Sequence, residues 1–498
     1  MSNYAVQLDG STGAGRADLG GKAWSIEQMR AIGIPVPPAF ALSTTLCRQY
    51  YRDNRRMSPE VWEELPAAMD TIGAISGRRF GDPKAPLLVS VRSGAVTSMP
   101  GMMDTILNLG MNDDIEKGLA LTSGDAAYAA DTRRRFIEQF ERVVGSVPPD
   151  DPWEQLRLAV VAVLDSWQSR RAIAYRRDRG IPGDGGTAVT VQAMVFGNID
   201  DQSGTGVLFS RDPLTGSATP YGEWLPRGQG EDVVGGRSNA LPISELAERI
   251  PHAYADLMAA AKRLEKAARD VQDIEFTIES GTLWLLQTRS AKRTAQAAVR
   301  HAIQLQSEGM ITTSEALDRV TPESVEKMIA PHIDPAALRG ASLVAAGKPA
   351  CQGVAVGVVV TDVDEAEDRA HGGESIILAR RTTDPDDVAA MSVVAGVLTE
   401  LGGATSHAAV VCRELNVPCI VACGQGLADW HEQEVTLDAT TGTIYAGRLP
   451  LVERPIAGDP DLELLRTWAQ DLLSDSSPSL PDLLRQYHAT ARLKLSQR

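Results

Sequence analysis

Residues 273–289 read DIEFTIESGTLWLLQTR, and the first half alternates polar and apolar side chains up to a Ser-Gly pair. That period of two belongs to a half-buried strand, and glycine supplies the positive φ of a tight turn. The segment is therefore expected to be an antiparallel hairpin. Asp273 and Glu275 share a strand face, as do Gln287 and Arg289. Asp273/Arg289 and Glu275/Gln287 lie symmetrically about Gly281, so all four share one face if the loop is odd-numbered. A three-residue loop, Ser280-Gly281-Thr282, is the expectation. Two carboxylates at that spacing suit Mg²⁺, which takes oxygen ligands and accompanies nucleotide phosphates. Arg289 would complement the phosphate charge. The alternative is an exposed face of mixed charge pairs.

The hairpin must sit in a large protein. At 498 residues the chain is expected to form several domains. A formal charge of −16 argues against broad nucleic-acid binding. No apolar run approaches the ~20 residues that span a bilayer, and MSNYAVQLDG lacks a signal pattern. Five cysteines without paired zinc spacing read as reduced cytosolic thiols. A cytoplasmic protein without membrane association is expected. Helical spacing occupies 112 to about 180, β-like patterning begins at Thr187, and residues 335–349 are Gly/Ala-rich and suit a linker.

Three further stretches carry chemistry. In GGATSHAAVVCREL, Thr405 and Ser406 are good N-caps, so His407 falls in the first turn of a helix. There the free N–H groups and dipole favour an anion and a neutral imidazole, as a nucleophile toward phosphorus requires. A capped helix with a structurally bonded histidine is the competing explanation. In PLLVSVRSGAVTSMPGMMDTILNLG, a strand ending at Val91 enters a loop with Arg92, Gly94 and Gly101, suited to phosphate approach, or simply a Gly-rich turn. In DLGGKAW, Lys22 follows two glycines, as a phosphate-binding charge or a solvated helix-start lysine.

Together with IPVPPAF, RRFGDP, GTAVTVQAMVFGN, SGTGVLFSRDPLTG, QGEDVV and LQTRSAKRTAQAAV, these stretches resemble the pyruvate, phosphate dikinase family, in the family's order, over residues 10 to about 450. The resemblance implies an α+β multidomain fold: an ATP-grasp-like nucleotide-binding domain over 1–335, with a helical insert at about 112–184, then a linker at 336–349. A swivelling β/β/α phosphohistidine domain over 350–450 and a connector with a helical tail over 451–498 complete it. In that family ATP gives its β-phosphoryl group to the histidine and its γ-phosphate to inorganic phosphate, releasing AMP and pyrophosphate.

By position, the resemblance implies His407 as the phosphorylated residue and Lys22, Arg92, Glu275, Gln287 and Arg289 as nucleotide contacts, with Gly101 in the loop over the phosphates. Asp273, Glu275 and Gln287 would hold Mg²⁺, and Thr405 matches a regulatory phosphorylation site of some members. Ala404, Cys351-Gln352 and the shortened EDVVGGRSNALP depart from the family pattern. The sequence ends where the family's β/α barrel would begin, so transfer to pyruvate, giving phosphoenolpyruvate, is expected to need a separate barrel protein or another acceptor. A homo-oligomer stays open. Two other functions are compatible: a small-molecule phosphotransferase with a histidine carrier, and a non-catalytic nucleotide sensor.

Overall fold

The computed structural model describes residues 4–97, 99, 102–230, 232, 240–328, 332–403, 405–452, 459–475, 477 and 479–496. It is a mixed α/β structure built on several sheets, three of which position the site. The first sheet orders strands Ala5–Gln7, Ala39–Leu42, Thr187–Ala193, Val89–Ala95 and Thr105–Leu109, antiparallel throughout. The second orders Leu241–Pro242, Tyr221–Pro226, Gly204–Phe209, Gln272–Glu279 and Thr282–Ser290, again antiparallel.

Between strands Thr105–Leu109 and Thr187–Ala193 the chain forms four helices, Asp113–Ser123, Ala126–Val144, Pro152–Ser166 and Arg170–Asp178. Asn112, Asp125, Asp151 and Ser169 precede them, and each side chain accepts a first-turn N–H. That satisfies donors a helix start leaves open. Phe136, Phe140, Leu156 and Val160 from these helices share a core with Val89 and Val91 of the sheet.

The third sheet has eight strands. Its centre is parallel: Val354–Val360, Ile376–Arg380, Gly396–Thr399 and Cys419–Val421. Helices Val363–His371, Val388–Met391 and His407–Leu415 make the crossovers, as parallel strands require. One face buries Ile376, Leu378 and Val397 beneath the helices, and the other buries Val359, Ile377 and Leu398.

The expected linker at 336–349 is corrected. Leu343–Ala346 pairs with Thr443–Ala446, and Lys348–Cys351 pairs with Cys419–Val421. Both are edge strands of the third sheet. Edges tolerate proline and small residues, so Pro349 and the alanines hide the strand signal. Of the C-terminal helices, Pro460–Leu473 packs on helix Ala295–Ser307 and Leu480–Ser496 on helix Pro322–Met328, with Leu465, Leu483 and Leu484 in one shared core. No helix of the described residues is long and apolar enough to cross a membrane. All five cysteines are free.

Candidate active site

The hairpin forms from Gln272–Glu279 and Thr282–Ser290, but its turn is tighter than expected. Glu279 pairs with Thr282, leaving Ser280 (φ 47°) and Gly281 (φ 80°) in the turn. Two successive positive φ values match the twist of the flanking strands. This register alone would put Gln287 and Arg289 on the face away from the carboxylates. A bulge at Leu286 restores them: Phe276 faces Leu285, whereas Glu275 faces Gln287 and Asp273 faces Arg289. The extra residue thus sits in the strand rather than in a three-residue loop.

On that face Arg289 Nε donates to Asp273 Oδ2 at 2.8 Å. Arg92 donates to Gln287 Oε1 at 3.2 Å and to Glu275 Oε2 at 3.4 Å. Ile274, Phe276 and Ile278 point the other way, into a core with Leu257 and Leu264. Arg92 itself lies within strand Val89–Ala95, not in a loop after Val91. The continuous ladder to Thr187–Ala193 holds residues 92–95 extended despite the glycine.

Lys22 arrives by a close crossing. Helix Arg16–Ala31 is broken at Gly20 (φ 69°, ψ 174°). A Cβ there would lie 1.7 Å from the Gly94 carbonyl oxygen, so only glycine permits the approach. Burial, and next the Arg92 charge, push Lys22 down to about 7, against the pull of Glu275.

The third sheet supplies the histidine. Strand Gly396–Thr399 ends, and the chain turns into helix His407–Leu415, at the carboxyl end of parallel strands where open α/β sheets bind ligands. Ser406 is the cap, accepting the Ala409 N–H at 3.5 Å. Thr405 does not cap. Its hydroxyl and N–H donate to Glu223 Oε2 at 3.0 and 3.3 Å. Glu223 reaches across from strand Tyr221–Pro226 of the second sheet and also meets Lys348 Nζ at 3.3 Å. A Cβ at Gly403 would stand 2.2 Å from that carboxylate, so glycine again makes the approach possible.

His407 Nδ1 lies 3.4 Å from Thr383 Oγ1, while Nε2 is buried without a hydrogen-bond partner among the described residues. Burial holds the imidazole below its ordinary pKa, against Asp384. Burial thus favours the neutral ring. With its proton on Nδ1 toward Thr383, the ring leaves the Nε2 lone pair for an electrophile.

One cavity of about 1650 Å³ is lined by His407, Thr405, Lys22, Arg92, Asp273, Glu275, Gln287 and Arg289 together. It exceeds the roughly 300–1,000 Å³ of common ligand pockets. Eight Lys or Arg and six Asp or Glu side chains line it, a local basic excess on a chain of charge −16. Gly101, Ala404 and residues 233–239 of the altered EDVVGGRSNALP stretch lie outside the described residues; Met99 and Met103, flanking Gly101, line the cavity. The oxygen donors of Asp273, Glu275 and Gln287 on one face fit a hard divalent cation. A separate group, Glu365, His431 and Glu432, lies on the third sheet's surface, where Arg369 pairs with both carboxylates.

Sequence reasoning missed Glu223, Thr383 and Glu414. Glu223 is one acid in a mostly buried strand and carries no local signal. Glu414 lies seven residues beyond His407, and helical spacing would have put it on the same face.

Residues 53–241 and 247–310 match the family model described as pyruvate phosphate dikinase, AMP/ATP-binding domain. Residues 372–442 match the PEP-utilising enzyme, mobile domain. The chain thus joins an AMP/ATP-binding domain to a mobile domain. Among curated relatives, pyruvate, phosphate dikinase of Clostridium symbiosum is 39% identical over 94% of this chain and 60% of its own length. The chloroplastic enzyme of Mesembryanthemum crystallinum is 38% identical, over 91% of this chain and 54% of its own. Pyruvate, phosphate dikinase 2 of Zea mays is 38% identical, over 91% and 58%. The chain belongs to the pyruvate, phosphate dikinase family, and spans 54% to 60% of the length of these relatives.

Proposed function

We propose that this chain is a phosphotransferase that phosphorylates its own His407 from ATP and inorganic phosphate, releasing AMP and pyrophosphate. The observation that carries this reading is a neutral imidazole with an unpartnered Nε2, sharing one cavity with the carboxylate–arginine hairpin. The two antiparallel sheets flanking that cavity suit an ATP-grasp-like domain over 1–335, and 350–450 would be the swivelling carrier, with 451–498 as connector and tail.

Asp273, Glu275 and Gln287 would hold Mg²⁺. When bound, the ion neutralises nucleotide phosphate charge. Lys22, Arg92 and Arg289 orient the polyphosphate and stabilise charge developing on it. The resemblance would have the loop containing Gly101, outside the described residues, cover the phosphates and help exclude water. Thr383 fixes the imidazole by accepting at Nδ1, so that Nε2 attacks the β-phosphorus as AMP leaves; the γ-phosphate leaves on inorganic phosphate as pyrophosphate.

His407 then has to travel, hinging near residue 340 and near 453, the second outside the described residues. It would deliver the group to pyruvate, making phosphoenolpyruvate, on a separate barrel protein or at another acceptor. No β/α barrel occurs among the described residues. Thr405 would act as a regulatory phosphoacceptor only when released from Glu223. The free thiols suit a cytoplasmic location.

The test is incubation with β-labelled ATP, phosphate and Mg²⁺. Acid-labile label on the wild-type chain and none on His407→Asn is expected. Nucleotide binding with neither label nor AMP would leave a sensor instead. Between Ser290 and Lys348 the described chain forms only short helices and edge strands, which disfavours a dedicated small-molecule domain there.

A further inference from the structure

Glu414 lies seven residues beyond His407, two turns along the carrier helix and on the same face. Both line the cavity. The Glu414 side chain is 13% exposed. Its Oε1 accepts the Tyr175 hydroxyl at 3.1 Å, with Arg179 Nη1 at 3.6 Å and Lys292 Nζ at 3.7 Å. Tyr175 lies in helix Arg170–Asp178, Arg179 caps its C-terminus, and Lys292 follows the return strand of the hairpin. None of the three belongs to the sheet that bears the carrier helix.

A carboxylate this enclosed needs compensation. Here all of it comes from the nucleotide side of the cavity. The N-terminal end of the carrier helix is already pinned there by Glu223 through Thr405. One such point leaves the helix free to pivot, and a pivot would carry the His407 ring off line. A second point at the helix C-terminal end fixes the axis. We propose that Glu414 is a docking latch, a positioning residue that ties the carrier helix to the nucleotide side and so aims His407. This rests on the reading of His407 as a phosphocarrier. The latch closes only in the docked arrangement, so Glu414 governs loading of the histidine rather than its unloading.

The test uses the full chain in four forms: wild type, Glu414→Gln, Glu414→Lys, and Glu414→Lys with Lys292→Glu. Single-turnover labelling from β-labelled ATP is followed beside small-angle scattering of the same samples and their thermal unfolding. Glu414→Gln keeps an acceptor for Tyr175 and is expected to slow labelling about threefold. Glu414→Lys should slow it about tenfold and enlarge the radius of gyration, while the paired reversal recovers part of both. A glutamate acting only within its own sheet and helices would not be rescued by reversing Lys292 on the nucleotide side. Wild-type labelling rate and compactness in Glu414→Lys, or no recovery in the paired variant, would overturn the latch. If the wild type takes no label, the phosphocarrier reading falls. The scattering comparison still decides the latch: expansion in Glu414→Lys supports it and unchanged size overturns it.

Discussion

The two ends of the cavity follow opposite plans. At the hairpin every functional group already has a partner: Asp273 holds Arg289, and Arg92 bonds both Glu275 and Gln287. At the other end His407 Nε2 has none among the described residues. The difference follows from what each end has to do. Charged groups that will bind a charged ligand are costly to bury alone, so they keep one another company and exchange partners when the ligand enters. A nucleophile must present a free lone pair at once. Its cost is limited because a neutral ring nitrogen loses far less by desolvation than an ion does.

The largest effect should come from breaking the saturated end. Asp273→Asn removes an anionic metal donor and the charge that pairs with Arg289, leaving only a neutral amide oxygen to accept from its Nε. His407 labelling should fall on the order of 10²- to 10³-fold, and because a buried ion pair loses one charge the thermal midpoint should also drop by a few degrees. A rate within a few-fold of wild type would remove the hairpin from the chemistry. Next comes the contact joining the two ends. Thr405→Val keeps the shape but takes the hydroxyl from the buried Glu223 carboxylate, which is 5% exposed. A lost bond to a charged group costs about 1.5 kcal/mol or more, so labelling should slow about tenfold and recover in Thr405→Ser. An unchanged rate would separate docking from this bond.

How legible these features are in sequence follows the range over which each is determined. The pairing of Asp273 with Arg289 and Glu275 with Gln287 is readable because strand faces alternate every residue. The Leu286 bulge is not, since no residue type there demands it and only the ladder reveals it. The helix start at His407 is readable from Ser406, whose capping is local. The Thr405–Glu223 bond spans 182 positions, and a docking contact leaves no local signature, so Thr405 reads as a cap. The edge strands around Pro349 read as linker because composition reports packing weakly where one side of a strand is open.

A smaller effect separates the two ends by pH. Lys22 sits at about 7, chiefly through burial, well below the ~10.4 of an unfolded lysine. Between those values the folded protein carries a neutral Lys22 where the unfolded chain carries a charged one, so the penalty that burying Lys22 imposes on folding fades as pH rises through that window. A polyphosphate favours the cation, so nucleotide binding at about pH 8 should take up nearly one proton, and almost none near pH 6. Calorimetry in buffers of different ionisation enthalpy measures this, and Lys22→Met should abolish it. His407 is also lowered by burial, which keeps it neutral, so labelling at saturating nucleotide should remain flat as pH falls through the ordinary histidine value of ~6.5.

The smallest effect tests whether the turn or the bulge aligns the saturated face. Gly281 has φ 80°, and an added Cβ would come 3.1 Å from His252 Nε2. Gly281→Ala should therefore cost about 1 kcal/mol, seen as a drop of about 1–2 °C in thermal midpoint for a chain this long. Labelling of His407 should stay within twofold of wild type. The turn closes the far end of the hairpin, whereas Gln287 and Arg289 take their face from the register shift between Glu275 and Phe276. A loss of rate much larger than the loss of stability would mean that the turn, and not the bulge, aligns the groups facing the nucleotide.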